Sequence, residues 1–196
     1  YTDEDYFAYV DGKPRYNGVR DFFASRGITL PEGDPSDGPA AQTICGLGNR
    51  KNDLFNTVLA RDGIQPYPGS RRWVDRLHES GMAMAVVSSS RNAAAVLKAA
   101  GMVEDFSVLV DGNRSKTERL PGKPAPDTYL RGAELLGVPA EQCVVVEDAV
   151  SGVRAGAAGG FGMVLGVNRG VGADRLREAG ADRVVDDLDE MVEEMA

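Results

Sequence analysis

Apolar positions follow two different rhythms along this chain, and the change comes at Tyr67-Pro68-Gly69. Before that point they recur at helical spacing, over residues 3–10, 19–26 and 49–60, the last with Leu54, Phe55, Val58 and Leu59. Residues 30–39, LPEGDPSDGP, are too rich in Pro, Gly and Asp to be anything but a loop. After the change, short apolar runs alternate with helical spans. Ser70 is expected to cap a helix that carries Trp73, Val74 and Leu77 on one face and stops at Gly81. Residues 82–87 are a continuous apolar run, read as a buried strand, and end at Ser88-Ser89-Ser90. A helix over 92–100 stopped by Gly101, a strand over 106–110, and a helix over 127–136 stopped by Gly137 come next. A strand over 143–146, a small-residue helix over 151–158, a strand over 163–167, a helix over 174–179 and a short edge strand over 183–185 complete the series. The acidic tail 186–194 reads as a solvated surface helix.

This alternation predicts an α/β fold: a doubly wound parallel, Rossmann-like sheet over residues 67–196, with a small helical domain over residues 1–66. Ligands of such sheets bind at the carboxyl ends of strands, beside a switch in strand order. Ser88 and Glu147-Asp148 occupy those ends.

Composition narrows the partners. At 196 residues, with 42% hydrophobic and 27% charged positions, the chain is long enough for a real core. Its net charge of -8 and the lack of a basic stripe exclude nucleic acid, whose phosphates call for clustered Lys and Arg. Cys45 and Cys143 are far apart and read as unpaired thiols, Cys143 as a small buried hydrophobe. The single histidine, His78, falls on a charged helical pattern, so zinc is not expected. No signal peptide and no membrane-spanning run is read, and a cytoplasmic monomer is the expectation.

Three stretches carry chemistry. Ser88-Ser89-Ser90-Arg91-Asn92 joins a strand to a helix, so hydroxyls, a guanidinium and the free amides of a helix start converge where an anion fits. A plain serine-rich cap is the other reading of the same residues. Lys123, between Gly122 and Pro124, is a compact charge on constrained backbone, suited to a phosphoryl group or an acidic cluster; an exposed loop lysine is the alternative. Glu147 and Asp148 end an apolar strand, where buried carboxylates need a partner or a cation, and hard oxygen ligands suit magnesium. An acidic helix cap is the other possibility.

Taken together, Ser88, the Lys123 of GKPAPD and the Glu147-Asp148 of VVEDAVSG resemble three of the four motifs of the haloacid dehalogenase superfamily of phosphotransferases, over residues 67–196. Within it the chain is most similar to the beta-phosphoglucomutase-like sugar-phosphate enzymes. The resemblance implies that Ser88 holds the transferring phosphoryl group, that Ser90, Arg91 and Asn92, with Ser89 beside them, meet a second, distal phosphate, and that Mg2+ lies at Glu147 and Asp148. Gly12-Lys13-Pro14-Arg15 resembles the cap motif whose arginine reaches the distal phosphate, and Arg50-Lys51-Asn52-Asp53 resembles the cap helix in which Lys51 and Asn52 meet the sugar. The implied activity is isomerisation of a hexose phosphate through an aspartyl-phosphate. Two phosphate sites are what a mutase needs, because a bisphosphate intermediate must present either end to one aspartate. A sugar-phosphate phosphatase of the same superfamily and a phosphosugar binder without chemistry are the alternatives. A receiver-like signalling module is disfavoured, since there the acidic pair comes at the first strand and the lysine near the last.

One motif of the pattern does not appear: an Asp-x-Asp at the end of a strand ahead of the cap, which supplies the nucleophile, the acid/base and a metal ligand. Asp3, Glu4 and Asp5 lie instead in a helical pattern. That strand belongs between the one ending at Ser88 and the one ending at Glu147, and its loss leaves unpaired edges. By analogy with the family, roughly 30 to 40 further residues ahead of Tyr1 are expected to carry it, the chain by itself being inactive.

Overall fold

The computed structural model of the chain describes residues 1–194. It resolves into two compact units, Tyr1–Ile64 and Gln65–Ala196.

The first unit is helical. Thr2 and Asp5 close a capping box on α1 (Asp3–Asp5), and the chain then widens into a π-type turn over Tyr6–Val10. Helix α2 spans Arg15–Ala24 and α3 spans Ile44–Asp62. Helix α3 begins before the expected residue 49, because Thr43 Oγ1 accepts from Gly46 N at 2.9 Å and the loop carbonyls of Pro31 and Glu32 accept from Ile44 N and Cys45 N. Its tight contact with α2 is at Gly48, where a Cβ would stand 2.8 Å from the Tyr16 ring. The apolar residues farther along, Leu54, Phe55 and Val58, are exposed; the packed part of α3 is its first turn, with Ile44 and Cys45 buried.

The second unit alternates strands and helices. Helix α4 is Pro68–Glu79 and is followed by β1 (Ala85–Val87), α5 (Ala93–Ala99) and β2 (Val108–Val110). Then come α6 (Gly112–Glu118), α7 (Asp127–Leu136), β3 (Val144–Glu147), α8 (Val150–Ala158), β4 (Met163–Val167), α9 (Ala173–Glu178), β5 (Arg183–Val185) and α10 (Asp189–Glu194). All pairings are parallel: β1 with β2, β3 with β4, and β4 with β5. The α/β architecture expected from the alternation is the one the chain adopts. The strands form two sheets, β1-β2 and β3-β4-β5. The second edges of β1 and β3 carry no strand among the described residues, which leaves Val144 53% exposed in a run that reads as buried.

Several local expectations change. Ser70 lies inside α4, since Pro68 takes the first helical position with Tyr67 as the cap. Only residues 85–87 of the 82–87 run pair, and Met82 is exposed. Helix α6, not anticipated, is capped by the buried Asp111, which accepts from the amides of Asn113 and Arg114. The acidic tail is docked rather than merely solvated: Leu188 joins Leu165, Val167 and Val185 in a buried cluster, and Met191, Trp73 and Val146 pack against it. Cys45 and Cys143 are free thiols and His78 is exposed. No helix among the described residues is long and apolar enough to cross a membrane.

Leu176 of α9 is fully buried whereas Met82 is not. Leu176→Ala is therefore expected to lower unfolding free energy in a urea titration by about 2–5 kcal/mol, and Met82→Ala to change it by no more than about 0.5 kcal/mol.

Candidate active site

The carboxyl ends of β1 and β3 meet at one side chain. Lys123 lies in the segment between α6 and α7, and its side chain is only 5% exposed, so it is not a solvated loop lysine. Its Nζ donates to Val87 O, the last residue of β1, at 3.3 Å, and is in direct ion-pair contact with Glu147 Oε1, at the end of β3. It also sits 4.6 Å from the centroid of the Tyr129 ring, a cation–π arrangement. Two strand ends from separate sheets are thus tied through one ammonium group.

Glu147 is held from every side. Oε1 accepts from Lys123 and, at 2.6 Å, from the Tyr129 hydroxyl; Oε2 accepts from Asp148 N and Ala149 N, each at 3.1 Å. Four donors match the roughly four lone-pair sites of a carboxylate, which is what makes a nearly buried ion pair tolerable. Burial, then the neighbouring Glu147 charge, push the Tyr129 hydroxyl well above the usual phenol range, so it stays protonated and donates. Gly152, in the first turn of α8, lets Glu147 lie against that helix: a Cβ there would stand 2.1 Å from the carboxyl carbon. Asp148 is exposed beside this locked group.

The Ser88–Asn92 stretch leaves β1 next to Val87 and is folded by its own hydroxyls. Ser88 Oγ accepts from Ser90 N and Ser90 Oγ from Asn92 N, both at 3.1 Å. From the other side, Gly112 N donates to Ser90 O at 3.0 Å and Asn113 Nδ2 to Arg91 O at 3.0 Å. A Cβ at Gly112 would stand 2.7 Å from Ser89 O, so the turn entering α6 presses directly on this loop. Helix α5 has seven residues, and the amide of Asn92 just ahead of it is already taken. The loop is thus a hydroxyl-bonded turn carrying Arg91, followed by a short helix rather than a long one with a strong dipole.

In the first unit, Arg15 opens α2 and donates from Nη1 to Asn49 Oδ1 at 3.1 Å and from Nη2 to Asn52 Oδ1 at 2.5 Å. Tyr16 OH donates to Asn49 Oδ1 at 3.0 Å, and Asn49 Nδ2 donates to Pro35 O and Asp37 O at 3.1 and 2.9 Å. Asn49 therefore uses both donors and both acceptor positions to join Arg15 to the 30–43 loop. Lys51 is exposed on the same helix.

Sequence patterns did not point to Tyr129, Asn49, Asp111 or Asn113. Tyr129 is indistinguishable by spacing from a core aromatic, and Asn49 needs a loop that closes back in space. Asp111 alone had a local signal, an Asp just after an apolar run and before a polar span.

The chain matches the haloacid dehalogenase-like hydrolases over residues 4–160. It is 49% identical over 191 residues to a beta-phosphoglucomutase of Mycobacterium tuberculosis, covering 96% of this chain and 73% of that protein. It is 33% identical over 190 residues to hexitol phosphatase A of Escherichia coli, covering 96% of this chain and 77% of that one. Among solved structures, a beta-phosphoglucomutase from Clostridium difficile superposes with a TM-score of 0.79 at 20% identity, over 99% of this chain and 81% of that one, a likeness of fold.

Gly152→Ala is expected to push Glu147 out of its place and to lower unfolding free energy in a urea titration by about 1–3 kcal/mol. Asn49→Ala is expected to release the 30–43 loop, seen as faster amide hydrogen exchange at Ile44 and Cys45, whose donors rest on that loop.

Proposed function

From the premise that the chain belongs to the haloacid dehalogenase-like hydrolases, we propose that it serves a phosphotransferase that isomerises a hexose phosphate, of the beta-phosphoglucomutase kind. The observation that carries this reading is the buried Lys123, aimed at the strand ends and held by Glu147. A cation there offsets charge on a phosphoryl group in flight. The 49% identity to a protein named beta-phosphoglucomutase supports the mutase form, and the hexitol phosphatase supports phosphosugar chemistry more broadly.

Each residue has a proposed role. Ser88 orients the transferring phosphoryl group beside Lys123, and Ser89, Ser90, Arg91 and Asn92 hold a distal phosphate; in the first unit, taken by itself, Arg15 is a phosphate-binding group and Lys51 and Asn52 are sugar-binding ones. Magnesium is characteristically held by one or two carboxylates together with water and substrate phosphate, and the hard-oxygen pair at the end of β3 suits it in kind. Asp148 offers an exposed carboxylate, while Glu147 adds charge beside it but is already saturated by four donors. Bound there, the ion would withdraw negative charge from the phosphoryl oxygens.

The carrier of the phosphoryl group is a carboxylate in this scheme. Already phosphorylated, it gives its phosphoryl group to the free hydroxyl of the hexose phosphate: the acyl–phosphate bond breaks, the hydroxyl proton passes to a base, and a bisphosphate forms. The bisphosphate turns round, and the freed carboxylate oxygen attacks its other phosphorus. The bond from that phosphorus to the sugar oxygen breaks as that oxygen takes the proton back, releasing the isomer and restoring the phosphorylated carboxylate. Two carboxylates near the strand ends are otherwise engaged: Glu147 is committed to Lys123, and Asp111 caps α6. The open edges of β1 and β3 are where an Asp-x-Asp strand would complete both the sheet and the site. Residues 1–196 alone are accordingly proposed to bind a phosphosugar without turning it over.

The test is phosphorus NMR of a hexose phosphate with Mg2+ and a trace of bisphosphate, using protein that includes an Asp-x-Asp strand. Interconversion of the isomers is expected; release of inorganic phosphate alone would make the protein a phosphatase. Arg15→Ala and Arg91→Ala should each lower mutase kcat/KM by about 10- to 100-fold while leaving hydrolysis of a small monophosphate nearly intact. Asp148→Asn should remove the response to Mg2+ in both assays.

A further inference from the structure

Tyr129 presents a hydroxyl that core packing does not require. Its ring is 7% exposed and meets Phe161 edge-on, with centroids 6.0 Å apart, an arrangement phenylalanine would satisfy equally. A buried hydroxyl is costly unless bonded, and this one donates at 2.6 Å to Glu147 Oε1, the oxygen that also holds Lys123. The ring beneath it contributes again, with its centroid 4.6 Å from the Lys123 ammonium.

We propose that Tyr129 is a positioning residue for phosphoryl transfer, fixing Lys123 through two contacts: its hydroxyl on Glu147 and its ring face on the ammonium. The inference rests on the role given to Lys123 above. Lys123 Nζ has three neighbours that set its place: the Val87 carbonyl at 3.3 Å, Glu147, and the Tyr129 ring. One is the ring of Tyr129, and a second is a carboxylate that Tyr129 orients. The two backbone amides on Oε2 fix one end of that carboxylate, but without the hydroxyl Oε1 is left with Lys123 alone and can follow its motion. A loosely held ammonium still binds phosphate in the ground state, and loses most where geometry is tightest, in the transition state. The signature is therefore a fall in kcat with KM unchanged.

The experiment compares Tyr129→Phe, Tyr129→Leu, Glu147→Gln, the Tyr129→Phe/Glu147→Gln double variant and Lys123→Ala, in the same protein and NMR assay, per folded molecule as judged by thermal unfolding. Tyr129→Phe removes the hydroxyl and keeps the ring; it should lower kcat about tenfold with KM within about twofold. Tyr129→Leu removes both contacts and should lower kcat further. In the Glu147→Gln background the same Tyr129→Phe change should cost less than about twofold, because the hydroxyl acts through that carboxylate. A structural tyrosine would instead lower the melting temperature and leave kcat per folded molecule alone. Tyr129→Phe with parental kcat, or an equal loss in both backgrounds, overturns the proposal while Lys123→Ala stays inactive. Activity surviving in Lys123→Ala overturns the reading of Lys123, and the proposal with it. Where Glu147→Gln does not fold, the kcat and KM of Tyr129→Phe decide by themselves.

Discussion

A lysine and a glutamate withdrawn from water hold the rest of this architecture to account. Removing either charge from solvent is expensive, and the pair is tolerable only because each charge is enclosed by partners. Lys123 has a carbonyl, a carboxylate and an aromatic face; Glu147 has an ammonium, a phenol and two backbone amides. These partners come from β1, β3, the entry to α8 and α7, so the pair forms only where all four elements have reached their places. It also joins the ends of two sheets that share no strand-to-strand hydrogen bond. Gly152 follows from the same demand, since any side chain there would occupy the space the carboxyl needs.

A second theme is that the groups proposed to meet a ligand are held by residues that have no such proposed role. Asn113 grips the carbonyl of Arg91, Asp111 caps the helix that carries Asn113, and Gly112 admits the close approach. In the first unit Asn49 plays the corresponding part, turning its carbonyl oxygen to Arg15 and Tyr16 and its amide nitrogen to the 30–43 loop. A guanidinium has many rotamers, and tethering it lowers the entropy lost when an anion is bound.

Local signals were legible where both ends of an element carried one. Helix α7 runs from Asp127 to Leu136 as its pattern predicts, since Gly137 adopts the left-handed conformation that ends a helix. Strands β4 and β5 match as well. Errors came where an element ends by pairing. Residues 82–84 are as apolar as 85–87, yet only the latter have a partner in β2. Val144 reads as core but lies on an unpaired edge, and the acidic tail reads as solvated but buries Leu188 and packs Met191 against the sheet. Apolar character records what a residue can bury, and the neighbour that buries it comes from elsewhere in the chain.

By itself the sequence determined the alternation of strands and helices, the positions of the strand ends, and which charged and hydroxyl groups stand there, because these depend on periodicity and on residues a few positions apart. It also carried the family, through the order and spacing of three short motifs. The tertiary structure alone decided that Lys123 is paired and nearly buried, that Glu147 is shared with Tyr129, and that Asn49 joins Arg15 to a distant loop. Those contacts link residues 24, 18 and 34 positions apart. Their partners are chosen by how elements pack in space, which no local pattern records.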